Sequence, residues 1–100
     1  PNAGRLALSD FAAYQSKQRE PICTDYKRYR VCGMPPPSSG GLTVLQMLKL
    51  LERFPLGDAA QGYGFGSPKT LHVMIEAMRL AFADRALYRA KDAGRNLVAI

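Results

Sequence analysis

Few residues of this chain could do chemistry. Cys23 and Cys32 could form a disulfide or stand as two free thiols, and nothing supplies the further ligands a metal site needs. His72 is the only histidine and falls in a helical stretch, where a surface or half-buried position is far commoner than a ligand or a general base. Gly62-Tyr63-Gly64-Phe65-Gly66 has the Gly-x-Gly-x-Gly spacing of a phosphate loop. It follows no strand and lacks the Lys-Ser/Thr pair, so it reads as loop punctuation. Ser38-Ser39-Gly40-Gly41 sets hydroxyls and backbone N–H groups just ahead of a helix. Such a stretch can hold an anion but more often only caps the helix.

One hundred residues make at most one domain, and a hydrophobic share of 47% is that of a globular chain rather than a disordered one. No apolar run approaches the roughly 20 residues that span a bilayer. The net charge of +6 raises nucleic-acid binding. Yet Lys17, Arg19, Lys27, Arg28 and Arg30, and then Arg79, Arg85, Arg89, Lys91 and Arg95, are interleaved with Glu20, Asp25, Asp84 and Asp92. Mixed charge marks a solvated face, and no nucleic-acid partner is expected. The chain opens Pro1-Asn2-Ala3-Gly4, with neither an initiator Met nor a signal peptide, and reads as an internal piece of something longer.

The elements that must position these residues are organised around Met34-Pro35-Pro36-Pro37-Ser38-Ser39-Gly40-Gly41. Three prolines fix φ and remove three backbone donors, so this stretch is extended and cannot be a central strand. Before it, Ser9 reads as the N-cap and Asp10 as the first-turn acid of a short helix that fades by Gln18, ahead of Pro21. Pro21 to Met34 reads as a hairpin. With Lys27-Arg28 as a two-residue loop, the facing pairs are Tyr26/Tyr29, Asp25/Arg30, Thr24/Val31 and Cys23/Cys32. Asp25 then faces Arg30 as a charge pair, and Ile22, Tyr26, Tyr29 and Val31 share an apolar face. The cysteines fall at a non-hydrogen-bonded position with Cα atoms about 4.5 Å apart, at the short end of disulfide reach. A tight primed turn prefers glycine where Arg28 stands.

Leu42 to Phe54 reads as a helix with a thin polar stripe of Thr43, Gln46, Lys49 and Arg53. So wide an apolar remainder requires burial on more than one side. Pro55 to Gly66 is a loop. Ser67-Pro68 then starts a second long helix running through Lys91, with Leu71, Met74, Ile75, Met78, Ala81 and Phe82 as its core stripe. Gly94 suits the position just past its end, and Asn96 to Ile100 could form a terminal strand. The fold class is α+β, mostly helical: a short N-terminal helix, one β-hairpin and two longer helices.

Residues from about Gly4 to Arg85 resemble part of the large subunit of a gamma-glutamyltranspeptidase (glutathione hydrolase). The resemblance is carried by Arg19-Glu20-Pro21, by Asp25 to Val31, and by Met34 to Gly41 with Leu45-Gln46-Met47-Leu48. Gly64-Phe65-Gly66-Ser67 and the run Glu76 to Arg85, ending Phe82-Ala83-Asp84-Arg85, complete it. The family usually has glycine in place of Arg28. The resemblance implies a fragment of an N-terminal-nucleophile hydrolase of four-layer αββα fold. Such an enzyme cleaves the γ-glutamyl amide of glutathione and passes the acyl group to water, an amino acid or a peptide. A precursor cuts itself, and the threonine thereby exposed attacks with its own α-amine as base. That threonine's signature lies well downstream of the matched run, and Thr24, Thr43 and Thr70 are not in its context. No catalytic, cofactor-binding or metal residue can be carried over. The resemblance therefore implies a scaffold, inactive alone, whose partners are the remainder of the large subunit and the small catalytic subunit in a periplasmic or extracellular setting.

Past Arg85 the pattern changes. Ala83 to Asn96 resembles the end of a GGDEF (diguanylate cyclase) domain, in which Lys91 and Arg95 would help hold GTP phosphates, although the signature loop and metal carboxylates are missing. The chain thus divides into residues 1–85, a partial transpeptidase segment, and residues 86–100, a divergent GGDEF-like tail. Two alternatives stand beside the transpeptidase scaffold: a nucleotide-binding remnant of a cyclase, and a stand-alone helical interaction module suggested by the apolar breadth of Leu42 to Phe54.

Overall fold

The structure, a computed structural model, describes residues 4–92. In chain order the elements are α1 (Leu8–Ala13), β1 (Ile22–Tyr26), β2 (Tyr29–Gly33), α2 (Gly40–Leu51) and α3 (Pro68–Asp92). The α+β, mostly helical arrangement expected from the sequence is the one observed. β1 and β2 form a two-stranded antiparallel sheet. α2 contacts both strands and α3, the hairpin and α3 meet only through α2, and α1 contacts no other described element. Gly94 and Asn96 to Ile100 lie outside the described residues.

The hairpin has the register that a Lys27-Arg28 loop demands, from Tyr26↔Tyr29 through Asp25↔Arg30 and Thr24↔Val31 to Cys23↔Cys32, and it extends to Ile22↔Gly33. The cysteines are joined, with Cα atoms 4.1 Å apart. The turn places its left-handed residue at Lys27 (φ 52°), so Arg28 is spared the conformation that favours glycine. Two further expectations are corrected. Asp25 and Arg30 stand opposite one another, but the ion pairs among the described residues are Lys49–Glu52 and Arg79–Glu76. Tyr29 leaves the shared apolar face: it is exposed, its hydroxyl accepts a 2.8 Å bond from the Arg28 guanidinium, and that guanidinium lies 5.0 Å from its ring.

A charged clasp ties the turn to the far end of α2. Lys27 N–H donates to Glu52 Oε1 at 2.8 Å, and Lys49 Nζ donates both to Glu52 Oε2 and to the Asp25 carbonyl, the latter at 3.1 Å. The backbone bond to Glu52 holds the strained Lys27 residue in place. At the other end, β2 runs straight into the first turn of α2. A Cβ on Gly33 would meet Gly41 Cα at 2.8 Å. One on Gly41 would strike the Met34 carbonyl oxygen and sit 2.9 Å from Met34 N. The proline block, whose Pro36–Pro37 bond is cis, thus returns the chain on itself until backbone touches backbone.

α2 begins at Gly40, earlier than the expected Leu42, and ends at Leu51 with Glu52 as C-cap rather than at Phe54. Thr43, expected on the polar stripe, is buried, because its hydroxyl is satisfied by donating to the Ser39 carbonyl at 2.7 Å. α1 is shorter than expected and starts one residue before Ser9; its N-cap is Ala7, whose N–H donates to the Asp10 carboxylate at 2.8 Å.

α3 also departs from expectation in the face it buries. Its buried residues are Thr70, Val73, Ala77 and Ala81, a narrow stripe at helical spacing that lets α2 approach closely. The bulkier set Leu71, Met74, Ile75, Met78 and Phe82 is exposed. Gln46 of α2 donates to the Asp84 carboxylate and latches the two helices farther along. With Leu45 added, the buried apolar core comprises four residues among those described. Seventeen large apolar side chains among the described residues are exposed, from Leu6 to Tyr88. Much apolar surface stays unburied.

Gly41→Ala should destabilise the fold by about 1–3 kcal/mol, because the added methyl must displace the Met34 backbone. Gly40→Ala, one residue earlier, meets only Ser38 Oγ at 3.9 Å and should instead stabilise by about 0.4–1 kcal/mol. Urea unfolding of the two variants reads both signs.

Candidate functional site

The proline block and the end of the Phe82-Ala83-Asp84-Arg85 run, far apart in sequence, face one another across a cleft of about 350 Å³. Pro36, Pro37, Ser38 and Ser39 form one wall, and Arg85, Tyr88 and Arg89 of α3 form the other. The sequence shows both halves but not their juxtaposition, which depends on how α3 packs along α2. Ser39 is the N-cap of α2 by position only: it has helical backbone angles and makes no side-chain cap bond. That corrects the expected capping by the serine pair. An α-region backbone turns the hydroxyl away from the N–H groups it would have to accept from. Arg85 Nε is buried and has no hydrogen-bond partner among the described residues, and the guanidinium carbon lies 5.9 Å from the Phe82 ring.

The glycine loop turns out to be the lid of a helix end. Ser67 Oγ accepts from Thr70 N–H at 3.3 Å and donates to the Gly62 carbonyl at 2.7 Å. Thr70 Oγ1 donates to the Gly64 carbonyl at 3.0 Å. Glycine carbonyls, not N–H groups, therefore point at the start of α3, which is the wrong polarity for a phosphate. Ser67 caps α3 as expected. Asp58 closes the preceding turn by accepting from the backbone N–H groups of Ala60 and Gln61 and from the Gln61 amide, and its backbone pairs with Tyr63.

Two carboxyls are perturbed, and both serve the architecture. The hydrogen bond from Lys49 holds Glu52 below its ordinary 4.5, and the bond from Lys27 N–H adds to it. The side-chain amide of Gln61 and then its backbone N–H hold Asp58 below its ordinary 3.8. Both groups are ionised in the fold at neutral pH and poorly suited to acid–base work there. A second, mostly apolar cavity of about 430 Å³ lies between the end of α2 and α3, with Phe54, Tyr63 and exposed His72 at its wall. Among the described residues no group of three or more His, Cys, Asp or Glu could hold a metal ion. The three threonines serve structure. Thr43 and Thr70 spend their hydroxyl protons on backbone carbonyls, and Thr24 lies within β1. No helix of the described residues is long and apolar enough to cross a membrane. The Lys91 side chain and Arg95 lie outside what the structure describes.

Among the described residues the arrangement is a hairpin clasped to one helix, a second helix laid against it, and a cleft lined by prolines, serines, a tyrosine and two arginines. Comparison with known proteins gives the family. The gamma-glutamyltranspeptidase family model matches residues 1–97, and the chain belongs to that family. It is 45% identical over 87 residues to the glutathione hydrolase proenzyme of Escherichia coli K12, which covers 87% of this chain and 14% of that protein. It is 42% identical over 92 residues to the acylase ACY 1 proenzyme of Pseudomonas sp. strain SE83, covering 92% of this chain and 16% of the relative. The crystal structure of Helicobacter pylori gamma-glutamyltranspeptidase matches with a TM-score of 0.73 at 40% identity, over 85% of this chain and 23% of that one. The chain thus spans about a seventh of the length of these curated proenzymes.

Ser67→Ala should cost about 1 kcal/mol of stability, whereas Ser39→Ala should stay within about 0.5 kcal/mol, since only the first removes a cap. Thermal unfolding of the pair distinguishes them. The lowered carboxyls set an acid limb. Stability from Glu52 and Asp58 is complete above their unfolded values, ordinarily 4.5 and 3.8, and is lost as pH falls through the lower folded values. Glu52→Gln should flatten part of the fall in a melting series from pH of about 7 to about 3.

Proposed function

We propose that this chain is a scaffold segment of the large subunit of an N-terminal-nucleophile hydrolase of αββα architecture, which hydrolyses or transfers the γ-glutamyl group of glutathione. The nucleophilic threonine and the groups that grip substrate then lie elsewhere in a proenzyme-length protein, and this segment alone is inactive. Support comes from α3, which buries a stripe of small residues against α2 and leaves Leu71, Ile75, Met78 and Phe82 without cover. A helix that leaves this many bulky apolar side chains uncovered belongs inside a larger protein. The partners are accordingly the rest of the large subunit and the small subunit. The disulfide suits a periplasmic or extracellular setting, where such bonds persist.

Another amide acylase is the second reading, favoured by the 42% identity to the Pseudomonas acylase proenzyme. A segment without substrate contacts is similar to both kinds of relative for the same architectural reason. The cyclase reading gains no support: α3 runs unbroken through Arg85 to Asp92, and the family match continues to residue 97. We keep the division at residue 85 as a change of sequence character within one segment.

Residues 4–92, exchanged for the matching stretch of the Escherichia coli proenzyme, should give a protein that cuts itself and releases the chromophore from a γ-glutamyl anilide. The 100-residue chain alone should release none. Turnover by the chain alone, abolished by replacing one of its own residues, would overturn the proposal.

A further inference from the structure

The cleft between the proline block and α3 contains an unsatisfied demand. Arg85 Nε is shut off from water yet has no hydrogen-bond partner among the described residues. A buried donor left unpaired is costly, and more so when it belongs to a cation. Arg89 lines the same cleft, as do Ser38, Ser39 and Tyr88, so two arginines and three hydroxyl-bearing residues share it. Among the described residues no acidic side chain lines it. The neighbouring acid, Asp84, is engaged by Gln46 on the α2 side. A planar arginine fork in a cleft that also holds hydroxyl-bearing residues, with no acid among the described residues, fits a carboxylate held by two parallel hydrogen bonds.

Resting on the reading above, we propose that this cleft is a socket for an Asp or Glu side chain from the part of a proenzyme-length protein outside residues 4–92. The relatives hold roughly six-sevenths of their length beyond the matched stretch, so most of the protein that must fold around this segment lies there. An acidic side chain from that remainder neutralises the pair, satisfies Arg85 Nε and sets the position of the proline block against the incoming chain. A free anion would satisfy the same nitrogen. The covalent source is favoured because the cleft adjoins the uncovered apolar face of α3, so one incoming segment can cover both.

The test uses the Escherichia coli proenzyme carrying residues 4–92 of this chain. Its crystal structure should show a carboxylate from outside the exchanged stretch within hydrogen-bond distance of Arg85 Nε. Arg85→Glu should lower the melting temperature by about 2–4 °C. Changing the facing acid to Arg in the same molecule should recover at least about half of that loss, which a merely steric role would not permit. Arg85→Lys, which keeps the charge but lacks Nε, should fall between the two. Only water, a backbone carbonyl or a free anion at Arg85, or no recovery in the reversed pair, would overturn the socket. A hybrid that cuts itself and turns over while failing these tests sinks the socket and leaves the scaffold reading intact. One that folds but never matures counts against the scaffold reading instead.

Discussion

The backbone contact between Gly33 and Gly41 is the constraint on which the rest of the segment depends. Two main chains can approach this closely only where neither carries a side chain. The contact fixes where α2 starts relative to the end of β2, and so where the whole hairpin lies along α2. Once α2 is anchored there, its far end arrives at the hairpin turn. There Lys27, Lys49 and Glu52 close the clasp, and the ionised Glu52 tolerates the strained Lys27 backbone by accepting its N–H. One end is held by the absence of side chains and the other by charge.

From α2 outward the packing is thin. Ala77 and Ala81 bring α3 close, which favours contact along the helix pair but buries little area per residue. The bulky residues of α3 point the other way, and hairpin and α3 have no contact to share. A segment built like this has one rigid junction and two open flanks. That is how a piece of a larger interior looks when its neighbours are left out, and it accounts for the family relationship better than any pocket does. The glycine loop at the start of α3 adds to this picture: its carbonyls serve Ser67 and Thr70, so a spacing that suggests phosphate chemistry does capping instead.

Much of this was legible in the residues. A two-residue loop dictates hairpin register by counting, so every facing pair from Tyr26/Tyr29 to Cys23/Cys32 could be read directly. Ser67-Pro68 marked the start of α3 because cap chemistry is local. What could not be read depends on tertiary approach. Periodicity identifies an apolar stripe on α3 but not which of two stripes faces α2; small residues won because α2 comes close. Thr43 looked polar until its hydroxyl found the Ser39 carbonyl one turn back. The cleft at Arg85 joins stretches about fifty residues apart, and no local rule brings them together. The paired glycines were visible as letters, and a strand ending in glycine before a Gly-Gly helix start was the available signal for close contact.

The central claim is that this segment is folded and covered within a protein of proenzyme length. The most direct measurement is the intact mass of the product that carries this sequence in its native source. The expected product is a precursor several times heavier than 11.0 kDa, matured into two subunits of which the smaller begins with threonine. A single mature chain of 11.0 kDa, stable without a partner, would contradict it.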